Sequence, residues 1–471
     1  MNYISTRGGI DPIGFRDSVM MGLGRDGGLL LPESIPDVSD RLSEWKDLPY
    51  VDLAFEIMKP FVDLPESDLR ELVRKSYSAF GHKEITPVVA VDGIYILELF
   101  HGPTLAFKDI ALQFVGNLFE YILHKSNRWL NILAATSGDT GSAAIYGVRS
   151  KKRIRIFVMH PHGRISRTQE WQMTSVPDHN VFNMAIEGSF DDCQEIMKTI
   201  FRDLDFRDRF SLGSVNSINW ARLLAQIVYY FYGAFRVMEK TGADRIRFSV
   251  PTGNFGDIFA GYLAMRMGLP VCRLVLATNE NDILSRFFNS GVYSLGNVKA
   301  TLSPSMDIQV ASNFERYLYY RVGEDPVRLK SMIQAFVDTG RLMVDPLPDG
   351  EVDDMFAAGS ATNEITLATI KSFYENHGYL VDPHTAVGIH VGMQHLKKDE
   401  PMVCLATAHP AKFGKAIISA VGRDVARHPV IDGLKDLPTC CDVLRASVQE
   451  VREYLEERIS GPTTSRTNRR C

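Results

Sequence analysis

Lys108 stands in the stretch Thr104-Leu105-Ala106-Phe107-Lys108-Asp109-Ile110-Ala111, among apolar neighbours. Beyond it Ile110, Phe114, Leu118 and Ile122 recur every fourth residue, with Ala111, Val115 and Phe119 beside them. That spacing predicts an amphipathic helix. Gly102 and Pro103 make a turn-rich lead-in, and Thr104 is a candidate N-cap. Lys108 therefore falls near a helix start, where an amine sheds hydration and its neutral, nucleophilic form becomes less costly. Such a lysine can condense with an aldehyde.

Two other stretches could hold an anion. In Thr252-Gly253-Asn254-Phe255-Gly256 the glycines let backbone N–H groups converge at a helix start, where the helix dipole favours a phosphate. A second cradle, 136–142, combines glycines with the hydroxyls of Thr136, Ser137, Thr140 and Ser142. Neither carries the G-x-x-x-x-G-K-[ST] pattern, so nucleoside triphosphate chemistry is not expected. A desolvated lysine with two such loops points to a phosphorylated aldehyde cofactor, pyridoxal 5'-phosphate, whose ring and phosphate the protein would position. No metal is expected: His160, His162, His377, His384, His390, His395 and His409 lack tight ligand spacing and read as surface or packing residues. Ser137 lies in no G-x-S-x-G elbow, which argues against a serine hydrolase.

These residues need elements to place them. Apolar runs at 132–135, 154–159, 181–186, 246–250, 271–277 and 402–406 are predicted strands, and 190–201, 220–238 and 257–267 predicted helices. The recurrence of strand, loop and helix means parallel sheets covered on both faces, with ligands beyond the strands' C-terminal ends. Residues 1–90 read as mainly helical and turn-punctuated. Within them Gly22-Leu23-Gly24-Arg25-Asp26-Gly27 matches G-x-G-x-x-G, yet no strand precedes it and no apolar helix follows, so a loop is expected. Residues 290–365 break the rhythm with Gly291, Gly296, Pro304, Pro326, Gly340, Pro346 and Pro348, around predicted helices at 313–320 and 327–337. The expected organisation is an N-terminal region at 1–90 and a smaller lobe at 91–240 carrying Lys108 and the 136–140 loop. A larger lobe at 241–471 carries the phosphate loop, with an insertion near 290–365.

Composition narrows the class. The chain has 471 residues, 45% hydrophobic and 23% charged, with net charge −5. These are figures of an ordinary soluble protein and give no reason to expect nucleic acid or an anionic membrane as partner. The longest apolar run, 227–235, is interrupted by Gly233 and followed by Arg236. The N-terminus lacks a signal-peptide pattern, and the six cysteines (193, 272, 404, 440, 441 and 471) form no C-x-x-C, so a cytosolic location is expected. The short basic tail, Arg466, Arg469 and Arg470, reads as a frayed end.

The order of motifs carries a resemblance. Tyr3-Ile4-Ser5-Thr6-Arg7-Gly8, Asp26-Gly27-Gly28-Leu29, His101-Gly102-Pro103-Thr104-Leu105-Ala106-Phe107-Lys108-Asp109 and Ala135-Thr136-Ser137-Gly138-Asp139-Thr140-Gly141 come first. Ser217-Ile218-Asn219-Trp220-Ala221-Arg222, Pro251-Thr252-Gly253-Asn254-Phe255-Gly256-Asp257, Ser303-Pro304-Ser305-Met306-Asp307-Ile308 and Ala406-Thr407-Ala408-His409-Pro410-Ala411-Lys412-Phe413 follow. Together they resemble the threonine synthase family of fold-type-II pyridoxal-phosphate enzymes, in its longer bacterial and fungal class.

The resemblance implies an α/β fold like that of tryptophan synthase β, with two parallel or mixed-sheet lobes flanked by helices. It implies that Lys108 is the Schiff-base lysine and proton shuttle. Gly253, Asn254, Phe255, Gly256 and Asp257 would surround the cofactor and its phosphate, and Thr407 would meet the pyridine nitrogen. Thr136, Ser137, Gly138, Asp139 and Thr140 would bind the substrate carboxylate. Asn219 and Arg222 would meet the substrate phosphate, with Arg164 and Arg167 behind them. Thr252 stands where the family pattern has serine and keeps the hydroxyl. The implied reaction converts O-phospho-L-homoserine and water to L-threonine and phosphate, by γ-elimination and β-addition, in the last step of threonine biosynthesis. A phospholyase or dehydratase giving 2-oxobutyrate would use the same lysine and loops. Retention of Lys108, both loops and Thr407 argues against a catalytically silent scaffold. The small-molecule substrate is the expected partner, and the longer class implies a monomer.

Overall fold

The computed structural model describes residues 1–347 and 350–460; Pro348, Cys471 and the tail residues Arg466, Arg469 and Arg470 lie outside the described residues. The described residues form two compact units, each built from separated stretches: 1–111 with 217–426, and 112–216 with 427–460.

The first unit centres on six strands in the order Phe356–Ser360, Val271–Thr278, Ile246–Pro251, Met402–Ala406, Ile94–Glu98 and Val88–Val91. Every neighbouring pair is parallel except the last, which is antiparallel. Ile246–Pro251 and Met402–Ala406 are buried at every position, as strands covered on both faces must be. The second unit holds five parallel strands in the order Asp442–Arg445, Val181–Glu187, Ile154–Pro161, Leu130–Ala135 and Leu212–Gly213. The expected parallel and mixed sheets are therefore present.

Three features depart from the sequence-based expectation. The N-terminal region contains a three-stranded antiparallel sheet, with Asn2–Ser5 between Ile13–Gly14 and Leu30–Pro32, ahead of the helices Tyr50–Met58 and Glu66–Tyr77. Strands this short show no alternation to read. The 22–27 stretch is a loop as expected, with the Gly24 N–H donating to Gly28 O at 2.9 Å. The 290–365 segment has a small antiparallel pair, Val292–Ser294 with Arg341–Met343, and the helices Phe314–Arg321 and Pro326–Thr339. Its strand Phe356–Ser360, however, is an edge of the main sheet rather than part of an insertion. Finally, Asp442–Arg445 and the helix Val448–Ser460 pack with 112–216, where Val451, Tyr454 and Leu455 join a core with Phe157, Phe182 and Ile196. The expected boundaries near 90 and 240 thus differ from the observed division, because pairing between strands so distant in the chain leaves no local mark.

Among the described residues no helix is long and apolar enough to cross a membrane, and no group of three or more His, Cys, Asp or Glu could hold a metal.

The helix Lys108–Ser126 starts in the first unit and continues into the second. There it crosses Asp139–Val148 with almost no gap. A Cβ on Gly116 would lie 1.9 Å from Gly147 O, and one on Gly147 would lie 2.4 Å from Leu112 O. No rotamer relieves a clash between a Cβ and backbone, so the helices would have to separate. Gly116→Ala is expected to destabilise the chain by about 2 kcal/mol, read from urea unfolding. An unchanged midpoint would contradict this close crossing.

Candidate active site

Lys108 is the first residue of its helix and is buried. Main chain carries it there. The Leu99 N–H donates to Ala406 O at 3.0 Å, the Phe107 N–H to Thr407 O at 2.9 Å and the His409 N–H to Leu105 O at 3.0 Å. Ala106 faces Ala408 in an antiparallel bridge between them. Lys108 therefore emerges at the C-terminal end of the strand Met402–Ala406, next to the buried Thr407.

The turn before Lys108 folds onto Asp109, which the sequence reading passed over. The Thr104 N–H and hydroxyl, the latter a candidate cap, donate to its carboxylate at 2.8 and 2.7 Å. Gly102 is required there, since a Cβ would sit 2.4 Å from Asp109 Cβ. Lys412 Nζ donates to Thr104 O at 2.7 Å. Burial pushes the Asp109 carboxyl up to about 6, against the opposing pull of Thr104 and Lys412.

The strand Ile246–Pro251 ends in the glycine turn. Thr252 N–H is anchored on Ala277 O at 2.8 Å, and Asn254 O accepts from the Asn313 N–H and Nδ2, both at 3.1 Å. Phe255 has φ 63°, and its ring stacks on Phe288 at 5.9 Å. The helix Gly256–Arg266 follows, and the N–H groups of its first turn have no intrahelical acceptor, which makes an anion cradle. A Cβ on Gly253 would fall 2.7 Å from Ser305 O, so the 304–306 turn closes one side of the cradle. Ser305 Oγ in turn accepts from Lys108 Nζ at 3.3 Å. Asp257 is buried beneath; the Tyr229 and Tyr230 hydroxyls donate to its Oδ1 at 2.5 and 2.9 Å, while Oδ2 has no hydrogen-bond partner. Burial pushes this carboxyl up to about 6, with the two tyrosines and Lys108 pulling the other way. A buried amine beside a glycine cradle of N–H donors at a helix start fits a phosphorylated aldehyde.

A hub that the sequence reading also missed supports the turn. Arg316 is fully buried and donates to Leu30 O at 2.9 Å, Ile218 O at 2.6 Å and Asn313 Oδ1 at 2.5 Å. Through Asn313 it links the N-terminal sheet to Asn254. The two residues expected at the substrate phosphate lie beside this hub's chain. Asn219 caps the helix Trp220–Thr241: its Oδ1 accepts from the Ala221 N–H at 3.0 Å and its Nδ2 donates to Val19 O at 2.8 Å. Both ends of that amide are engaged in holding the fold. Arg222 is buried one turn later, and desolvation pulls its guanidinium down to about 10.

In the second unit the 136–140 stretch runs into the first turn of the helix Asp139–Val148, with Gly138 at its N-cap. Thr136 Oγ accepts from the Gly138 and Gly141 N–H groups at 3.0 and 2.9 Å, and Asp139 Oδ1 accepts from Gln169 Nε2 at 2.9 Å. These two side chains brace the turn, whereas Ser137 and Thr140 remain partly exposed.

Sequence profiles place these features in a family. The threonine synthase N terminus matches residues 2–77, the threonine synthase C-terminal region 385–455, and the pyridoxal-phosphate-dependent enzyme profile 81–347. The chain is 46% identical to a threonine synthase from Schizosaccharomyces pombe over 455 residues, covering 88% of each chain. The chain belongs to the threonine synthase family. A Saccharomyces cerevisiae threonine synthase is 43% identical over 504 residues, covering 97% of this chain and 98% of that one. The crystal structure of a PLP-bound threonine synthase from Brucella melitensis has a TM-score of 0.93 at 43% identity, covering 97% of this chain and 99% of that one. The protein is thus a fold-type-II, pyridoxal-phosphate-dependent lyase of threonine biosynthesis.

Asp109 gives a pH test of the turn beside Lys108. Its folded carboxyl binds a proton more tightly than the unfolded one, so the native state holds more protons in that window. The stability due to Asp109 is present below about pH 4 and is lost as pH rises through about 6. In urea unfolding from pH 4 to 7, the stability of wild type relative to Asp109→Asn is expected to fall by about 2 kcal/mol. A flat difference would show that the carboxyl is not held in a dry site.

Proposed function

We propose that the chain converts O-phospho-L-homoserine and water to L-threonine and phosphate, with Lys108 as the amine that bonds the cofactor aldehyde. The observation that carries this reading is the meeting of Lys108 Nζ with Ser305, whose turn forms one side of the Gly253 cradle. In this reading the N–H groups of Gly253, Asn254, Phe255, Gly256 and Asp257 hold the cofactor phosphate. Thr407 presents a neutral hydroxyl to the pyridine nitrogen, which does not force that nitrogen to be protonated. When bound, pyridoxal phosphate supplies the electron sink for charge developing at the substrate α-carbon. Lys108 Nζ, once free, would remove the substrate's α-proton and later return one to the same carbon.

A proton leaves the β-carbon as phosphate departs from the γ-carbon, the γ-carbon takes up a proton, and water adds at the β-carbon. Arg222, with Asn219 next to it, is the proposed partner of the substrate phosphate, a role supported by a buried guanidinium that an anion would stabilise. The proposed holder of the substrate carboxylate is the 136–140 turn. Ser137 and Thr140 offer hydroxyls there, Gly138 offers close backbone, and Thr136 and Asp139 keep the turn in shape. The same reading takes the protein as a cytosolic monomer whose partner is this small-molecule substrate, as the longer class of the family suggests.

The test is to incubate cofactor-loaded protein with O-phospho-L-homoserine and follow phosphate, amino acid and keto acid in one tube. Threonine equal to phosphate is the expected outcome. Phosphate with 2-oxobutyrate would replace this reading with the phospholyase, and no phosphate would remove the substrate assignment. Lys108→Ala is expected to lose the visible absorbance of bound cofactor together with at least about a thousandfold in turnover. A yellow, active variant would overturn the role of Lys108.

A further inference from the structure

Seven histidines read from sequence as surface or packing residues, and one of them lies one residue away from Lys108 in a hydrogen-bonded chain. His384 is in the first turn of the helix Pro383–Met393, and both it and the N-cap Asp382 are buried. Asp382 accepts from the His384 N–H at 2.9 Å, the Thr385 N–H at 3.1 Å and the Thr385 hydroxyl, and its Oδ2 lies 2.7 Å from His384 Nδ1. On the other side of the ring, Nε2 lies 3.3 Å from the Ser305 backbone nitrogen. The Phe413 ring packs edge-on at 5.0 Å and limits ring rotation.

The donors fix the tautomer. A backbone N–H can only donate, so Nε2 accepts, and the ring proton sits on Nδ1 facing the Asp382 carboxylate. The chain then runs from Asp382 through His384 and Ser305 to Lys108. It is not a proton wire. Ser305 meets His384 through its N–H and Lys108 through its Oγ, so no proton can hop along it. What passes along it is position.

We propose that His384, oriented by Asp382, is a positioning residue for the reaction: it fixes the 303–306 turn so that Ser305 Oγ holds Lys108 Nζ at the cofactor cradle. The role deepens the proposed function and rests on Lys108 being the cofactor lysine. The ends of this turn are braced: Asn279 Nδ2 donates to Ser303 O and Oγ at 3.3 and 3.0 Å, and the Asp307 N–H donates to Pro304 O at 3.2 Å. At its middle the Ser305 N–H goes to His384, so that bond bears on where the Ser305 hydroxyl points. Met306 N–H returns to Ser303 O at 3.0 Å, closing the turn on itself.

The test is a double-mutant cycle with two readouts on the full chain. The first is the rate at which cofactor-free protein captures pyridoxal phosphate, trapped by borohydride and located by mass at Lys108. The second is kcat and KM of the loaded enzyme. His384→Leu removes the acceptor and is expected to lower capture and kcat about tenfold, the effect of one lost hydrogen bond, with KM within about twofold. His384→Gln keeps an acceptor and is expected to recover most of that loss. Ser305→Ala is expected to match His384→Leu, and the double variant to be no slower than either single one, because both act through the same contact.

Losses that multiply, or a glutamine variant as slow as leucine, would overturn the proposal. If the leucine variant does not fold, His384→Asn, too short to reach the Ser305 N–H, takes its place with the same expectations. A Lys108→Ala protein that still captures the cofactor would instead refute the premise about Lys108.

Discussion

The backbone bonds that join 99–107 to 406–409 decide where Lys108 can be, because they act before any side chain does. Met402–Ala406 lies inside its sheet, with parallel neighbours on both sides, so it cannot slip without breaking two ladders. Whatever is hydrogen-bonded to its end inherits that rigidity. Lysine loses much rotamer freedom when it is ordered, so a buried amine is unfavourable unless its base is already placed and its tip has an acceptor. The ladder supplies the first condition and Ser305 the second. A flexible lysine reaching the same point from a loop would have to meet both from side-chain contacts alone.

The polar groups around this anchor follow one pattern. Asp109, Asp257 and Arg316 are buried charges whose hydrogen bonds run mostly to neutral groups: Thr104, the paired Tyr229 and Tyr230, and backbone carbonyls. Neutral partners satisfy the hydrogen bonds without cancelling the charge. That leaves both carboxyls raised to about 6 by burial. The same networks are demanding. Removing one member strands the others in a dry interior, so each narrows the geometry its neighbours can adopt.

Much of this was legible in sequence, for physical reasons that also explain what was not. The helix after Lys108 and the covered strands announce themselves by runs of apolar residues, because burial on one face or both imposes a local pattern. Asn2–Ser5 and Ile13–Gly14 are too short for any pattern, and Phe356–Ser360 carries Gly359 and Ser360 where a strand signal would need branched residues. The return of Asp442–Arg445 to the sheet of Val181–Glu187 is a matter of pairing between distant segments. His384 and Arg316 were invisible for a related reason. Their importance lies in what they touch, and an isolated histidine or arginine in a sequence carries no mark of its partner. Asp109 sat next to Lys108, yet its neighbour drew the chemical reading and left it as a flank.

The site loops show a further limit on reading motifs as ligands. Thr136, Asn219 and Asp382 all stand at helix starts, where hydroxyl, amide and carboxylate side chains satisfy backbone N–H groups. The same side chains are those a phosphate or carboxylate ligand would call for, because both tasks present the same donors and acceptors. Structure separates the two by what is already engaged. Thr136 holds two N–H groups of its own turn, so its hydroxyl shapes the loop, whereas Ser137 and Thr140 stay partly exposed. A motif of hydroxyls around a glycine is therefore in part scaffold. That part makes the backbone N–H groups converge, and convergence gives the loop its preference for an anion.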